Sequence, residues 1–186
     1  MKYRKRHEQI EDLATAVLTE TDAYLPNMDV EQVAKKRGLA VLPHDFPDAV
    51  SGALIIKNGK ATIGFNATHH PVRQRFTIAH ELGHYELKHE RGGLFVDEHQ
   101  KQFSLFYRDE NSSTGEQLQE REANAFAAAL LMPKELLIQE MKGHEFDLTA
   151  DDPENSPLIK LAQKFGVSLQ AMTYRIDNLN LVVYLM

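Results

Sequence analysis

Six of the nine histidines in this 186-residue chain fall between positions 69 and 99, and within that window His80, Glu81 and His84 stand in the order HExxH. Residues i and i+4 lie about 40° apart around a helix, so His80 and His84 project side by side and can bind one Zn²⁺. Glu81 lies about 60° beyond His84. It can face the same site without coordinating, which suits a general base acting on water at the metal. The preceding run Arg75-Phe76-Thr77-Ile78-Ala79 is largely apolar. Ile78 and Leu82 fall on the face away from the histidines, and Arg73, Phe76 and Thr77 on the histidine side. An apolar helix carrying two histidines is the pattern of a buried active-site helix rather than of an ordinary surface pair.

A catalytic zinc site needs a third protein ligand and an open position for water. His89 lies five residues past His84, about 140° away if the helix continues, and cannot reach the same metal without breaking it. The longer pattern HExxHxxGxxH fails as well, because this chain has Leu87 and Glu90 where it wants Gly and His. His89 is therefore expected to be a solvated or packing histidine. The better ligand lies on a later helix whose packing face is Ala123, Ala127, Leu130 and Leu131. Glu120 sits at the edge of that face, aligned with Asn124, and is the expected third ligand. Asn124, one turn on, can hydrogen-bond a ligating imidazole from behind. Glu122 points further round, towards Ala125 and Ala129. For both glutamates the ordinary alternative is a solvated helix start, where acidic residues are favoured.

The elements that must carry these residues follow from pattern. Ile10, Leu13, Ala14, Val17 and Leu18 predict a helix from Arg6 to about Tyr24, ended by Pro26. Asp29 caps a second one to Lys36, stopped by Gly38. Ala40–Leu42 reads as a strand, and Ser51–Lys57 with Ala61–Phe65 as a hairpin about Asn58-Gly59. His70-Pro71 opens the HExxH helix, which is expected to run to about His89. Residues 91–115 read as loop, with a further strand among Phe95, Val96, Phe103, Leu105, Phe106 and Tyr107. Helices are expected over Gly115 to Leu131 and Leu136–Met141, then a polar linker over Asp151–Pro157. Two short helices follow about Gly166-Val167-Ser168. The reading is one α+β domain over residues 1–186, with a hairpin-bearing antiparallel sheet and a C-terminal helical subregion over 156–186.

Composition narrows the chemistry. There is no cysteine, which excludes disulfides, thiol nucleophiles and every cysteine-ligated metal site. The net charge of −6 argues against attachment to nucleic acid by bulk charge. No apolar run approaches the roughly 18–20 residues of a membrane helix, and the start, MKYRKRHEQIEDL, has no apolar stretch behind its basic residues. A cytoplasmic protein without a membrane partner is expected.

The stretch Arg73-Gln74-Arg75-Phe76-Thr77-Ile78-Ala79-His80-Glu81-Leu82-Gly83-His84 resembles the ImmA/IrrE metallopeptidases. So does Glu120 followed by Asn124-Ala125-Phe126-Ala127-Ala128-Ala129-Leu130-Leu131-Met132-Pro133. The hairpin ahead of the HExxH helix and the tail Phe165-Gly166-Val167-Ser168, Ala171-Met172 and Arg175 fit too. The resemblance implies a small zincin-like, gluzincin-type endopeptidase with His80, His84 and Glu120 as zinc ligands and Glu81 as base. It implies a bacterial or mobile-element setting, and as substrate a helix-turn-helix transcriptional repressor cut to release gene expression. The stretch between His84 and Glu120 is long for the family.

Mn²⁺ or Co²⁺ would also suit a His₂Glu set. Arg73, Tyr85 and His70 are chemically able to donate to an oxyanion. A non-cleaving regulatory module of the same fold, which senses or sequesters a repressor, is the rival reading, and the intact Glu81 speaks against it. The C-terminal segment has helix-turn-helix spacing, but its second helix offers only Arg175 as a cation, too little to hold phosphates. Direct DNA binding is not expected, and oligomeric state is not readable.

Overall fold

The computed structural model describes residues 2–89, 97–98, 115–142 and 156–181. Helix α1, Lys2–Glu20, is followed by α2, Val30–Lys36, and by strand β1, Leu39–His44. The hairpin β2, Val50–Lys57, and β3, Lys60–Asn66, leads into α3, Pro71–Glu86. After a two-residue strand β4, Asp97–Glu98, come α4, Gly115–Leu131, and α5, Lys134–Met141. Helices α6, Pro157–Phe165, and α7, Leu169–Asn178, complete the order.

Local chemistry accounts for most boundaries. Asp29 caps α2 through Gln32 N–H, and Asn58 and Gly59 both have positive φ, as a two-residue hairpin turn of type I′ requires. Pro71 opens α3 behind His70, whose ring accepts from Val72 N–H. Ser156 and Ser168 cap α6 and α7, and Gly166 ends α6 at φ 64°.

Two helices stop short of expectation. Helix α1 ends at Glu20 because Asp22 turns left-handed at φ 52° and Ala23 N–H returns to Leu18 O. Helix α3 ends at Glu86 rather than near His89. There Lys88 takes φ 54°, Lys88 N–H bonds Tyr85 O, and His89 N–H bonds His84 O, a Schellman closure with lysine where glycine is usual.

The sheet is mixed, in the order β1-β3-β2-β4. The hairpin partners are antiparallel, while β1 lies on the far side of β3 and runs parallel to it, Leu39 opposite Ala61 through His44 opposite Asn66. Strand β4 pairs with β2 at Val50 and Gly52. The residues expected to add a strand, Phe95, Val96, Phe103, Leu105, Phe106 and Tyr107, lie outside the described residues, as does most of the polar linker.

Helix α3 packs on both hairpin strands and on α4, and α4 packs in turn on α1. Ile78 and Leu82 enter the core from α3, Phe126 and Leu130 from α4, and Phe165, Met172 and Ile176 from the C-terminal pair, all in one cluster. Arg175 is buried there rather than presented to solvent: its Nε donates to Met132 O at 3.0 Å and its Nη2 to Glu11 at 2.8 Å. Among the described residues no helix is long and apolar enough to cross a membrane.

One glycine seats α3 on the sheet. A Cβ on Gly52 would fall 2.4 Å from Thr77 Cγ2 and 2.8 Å from Gly64 O. Gly52→Ala should therefore cost about 1–3 kcal/mol through forced separation of α3 from β2, read as a lower urea midpoint with an unchanged slope.

Candidate metal centre

Helix α3 turns one row of side chains, Phe76, His80 and His84, towards the matching row of α4, Glu120, Asn124 and Ala128, with Met132 just past its end. His80 and His84 are buried. Their Nε2 atoms lie 3.0 Å apart, and Glu120 approaches with one oxygen 3.2 Å from His80 Nε2 and the other 3.5 Å from His84 Nε2. Ligand atoms about 2.0–2.1 Å from a tetrahedral zinc are separated by about 3.3 Å. The three groups thus match the spacing of one divalent ion, and they are the His/Asp/Glu cluster among the described residues that could hold one.

Hydrogen bonding behind the rings argues for a cation. His80 Nδ1 lies 2.8 Å from Asn124 Oδ1. An amide oxygen can only accept, so the proton of His80 sits on Nδ1 and its Nε2 presents a bare lone pair. That lone pair converges with a second imidazole and a carboxylate in a buried position, which is the donor set a borderline metal takes. Burial, the largest influence, pushes the His84 imidazole down to about 4. It is therefore neutral, the form able to ligate, at neutral pH. Burial alone would raise the Glu120 carboxyl, but the His80 and His84 rings beside it outweigh burial and hold it below the usual range. Glu81 is also buried, its Oε1 reaching towards β2 at Gly52.

Two residues behave differently from the sequence expectation. Because α3 ends at Glu86, the turn at Lys88 folds His89 back, and its Nδ1 lies 2.9 Å from His84 Nδ1. It is neither solvated nor mere packing: its side chain is 5% exposed and its Nε2 lies 3.2 Å from Glu122 Oε2. Glu122 in turn is gripped by Arg6 through Nε at 2.8 Å and Nη2 at 2.6 Å, so it is no solvated helix start. The helical angle that excluded His89 from the site assumed a continuing helix. With no glycine at position 88, nothing in the sequence marks the break.

The two rows run on past the ligands. Phe76 stacks beside His80, their ring centroids 6.4 Å apart. Beyond it lies a cavity of about 250 Å³ walled by Arg73, Phe76, Ala128, Met132, Ala171 and Tyr174. Of the three candidate oxyanion donors, Arg73 and His70 line this cavity, Arg73 Nη2 also donating to Ser51 Oγ at 2.8 Å. Tyr85 is half-buried at the end of α3.

The sequence model of a peptidase family, described as the IrrE N-terminal-like domain, matches residues 34–177. No curated protein matches the chain. The solved structure of a Mycobacterium tuberculosis transcriptional regulator is similar over 92% of this chain and 51% of its own, with a TM-score of 0.59 and 18% identity. That likeness is one of fold, and this chain spans about half the length of the regulator's.

Two outcomes are expected. One equivalent of Zn²⁺ should bind the metal-free chain and raise its thermal midpoint. Glu120→Ala should weaken that binding at least about 100-fold and Asn124→Ala about 10–100-fold, with His44→Ala, outside the cluster, as the unaffected control in calorimetric titration. In the metal-free chain, the unfolded state takes up a proton at position 84 near pH 6.5, whereas the folded state does so only near 4. The unfolded state binds more protons across that window, so stability should fall as pH drops through it. Urea midpoints at pH 7 and pH 5 would show this.

Proposed function

The chain belongs to the family of the IrrE N-terminal-like domain, and from that membership we propose that it is a zinc-dependent endopeptidase that cuts a helix-turn-helix transcriptional repressor. The observation that carries the reading is the convergence of His80 Nε2, His84 Nε2 and the Glu120 carboxylate beside a buried carboxylate, Glu81, that can serve as a base. A metal site serving structure alone has no use for that base.

A bound divalent ion would contribute Lewis-acid activation of water and of the scissile carbonyl. The remaining work falls to side chains. Glu81 accepts the proton of the attacking water and returns it to the leaving amine. His84 presents a neutral lone pair because burial keeps its imidazole in that form, and the contact of Nδ1 with Asn124 leaves the His80 lone pair on Nε2. The cavity beyond Phe76 supports a substrate with an apolar side chain. It lies along the same two helix rows as the ligands, about one to two turns from His80, so the residue it receives would stand two or three positions from the cut in an extended peptide. The buried Arg175 supports a protein partner over DNA for the C-terminal helices, since that cation is already engaged by Glu11 and Met132.

The test is incubation of the zinc-loaded chain with the repressor encoded beside its gene, followed by mass. A single defined cut is expected. It should be lost on chelation, and Glu81→Gln should slow it by about 10²–10⁴-fold while leaving zinc bound. A repressor that stays intact yet binds the zinc-loaded chain would favour the non-cleaving regulatory module instead.

A further inference from the structure

We propose that His89, Glu122 and Arg6 form a positioning relay that fixes His84 as an Nε2 ligand of the metal. The inference rests on reading His80, His84 and Glu120 as a metal centre. It concerns a part of the molecule that the ligand motif does not contain, and one member, Arg6, stands outside residues 34–177 that the family model matches.

The argument is one of donors and acceptors. To offer a lone pair from Nε2, the neutral His84 ring must carry its proton on Nδ1. That atom lies 2.9 Å from His89 Nδ1, so His89 has to accept there. An imidazole that accepts at Nδ1 keeps its own proton on Nε2. That nitrogen lies 3.2 Å from Glu122 Oε2, and a carboxylate accepts. Arg6 then closes the chain by donating to both oxygens of Glu122, at 2.8 Å and 2.6 Å. Each link thus has one polarity, running from Arg6 and His89 donating to Glu122 back to His84 donating to His89.

The two ligand histidines are supported unequally. His80 leans on a neutral amide, Asn124, whereas His84 leans on a ring that is itself backed by an ion pair. A partner of the second kind raises ligand basicity as well as fixing the ring, as a carboxylate behind a ligating histidine does. The inserted imidazole lets a carboxylate on α4 and an arginine on α1 act on a ligand near the end of α3.

Two variants of one position separate this role from packing. His89→Leu fills the space but offers no acceptor, while His89→Asn sets an amide oxygen near the place of Nδ1. Zinc affinity is read on the full chain by competition with a chromophoric chelator. The Nδ1–H proton of His84 is read by nitrogen-edited NMR of the zinc-loaded protein. His89→Leu should weaken zinc binding about 10–100-fold and expose that proton to fast exchange. His89→Asn should recover most of both, and Arg6→Ala should give a smaller loss of the same kind. Equal affinity in wild type and His89→Leu, or equal losses in the Leu and Asn variants, would overturn the relay while leaving the metal centre standing. A wild-type chain that binds no zinc would overturn the metal centre, and the relay with it.

Discussion

The close crossing of α3 and α4 at Gly83 is the constraint on which the site depends. A Cβ at that position would stand 3.1 Å from Ala123 O and 3.1 Å from Phe126 Cδ1, so a side chain there would press on α4 and the two helices pack closely. The residues flanking that contact on α3 are His80 and His84, and those flanking it on α4 are Glu120 and Asn124. A glycine inside a helix costs about 1 kcal/mol relative to alanine. Here it sets the helix separation at which a glutamate on one helix reaches two imidazoles on the other. Ala123, Ala127 and Phe126 continue the same tight seam. The spacing of ligand atoms is thereby fixed by packing of the core rather than by loops.

Electrostatics then determines what that geometry can hold. Three acceptors meet in a buried position, and burying a charge without a partner is costly. The protein keeps the carboxylate ionised and the His84 ring neutral instead of placing an arginine or lysine among them. A divalent cation is the species that satisfies all three at once. The polar contacts behind the rings serve the same end: Asn124 and His89 are both placed on Nδ1, leaving both Nε2 atoms for the interior of the cluster.

Much of this was legible in the sequence because it rests on local periodicity. The HExxH spacing puts His80 and His84 on one stripe whatever the tertiary fold, and the small-residue face of Ala123 and Ala127 indicates which helix approaches. Glu120 and Asn124 follow from that face by one turn of helix. Asn58-Gly59, Asp29 and Pro71 mark their boundaries by chemistry confined to one or two residues. What stayed hidden depends on conformations that side-chain identity does not announce. Lys88 and Asp22 adopt the left-handed backbone usually left to glycine, so two helices end early. The parallel pairing of β1 with β3 likewise follows from tertiary placement, which strand alternation does not encode.

The early end of α3 has a consequence for α1. With His89 turned inward, Glu122 gains a partner on one side and needs a counter-charge on the other, and Arg6 of α1 meets that need. The same helix sends Glu11 to the buried Arg175 of α7, a pair whose rupture would leave a charge inside the core. Helix α1 is thus bound at two points, one behind His84 and one beneath the C-terminal helices, with Ile10, Ala14 and Val17 buried. Displacing it would disturb the surroundings of His84 and of Arg175 together. A helix that the family model does not include is in this chain a structural part of the site.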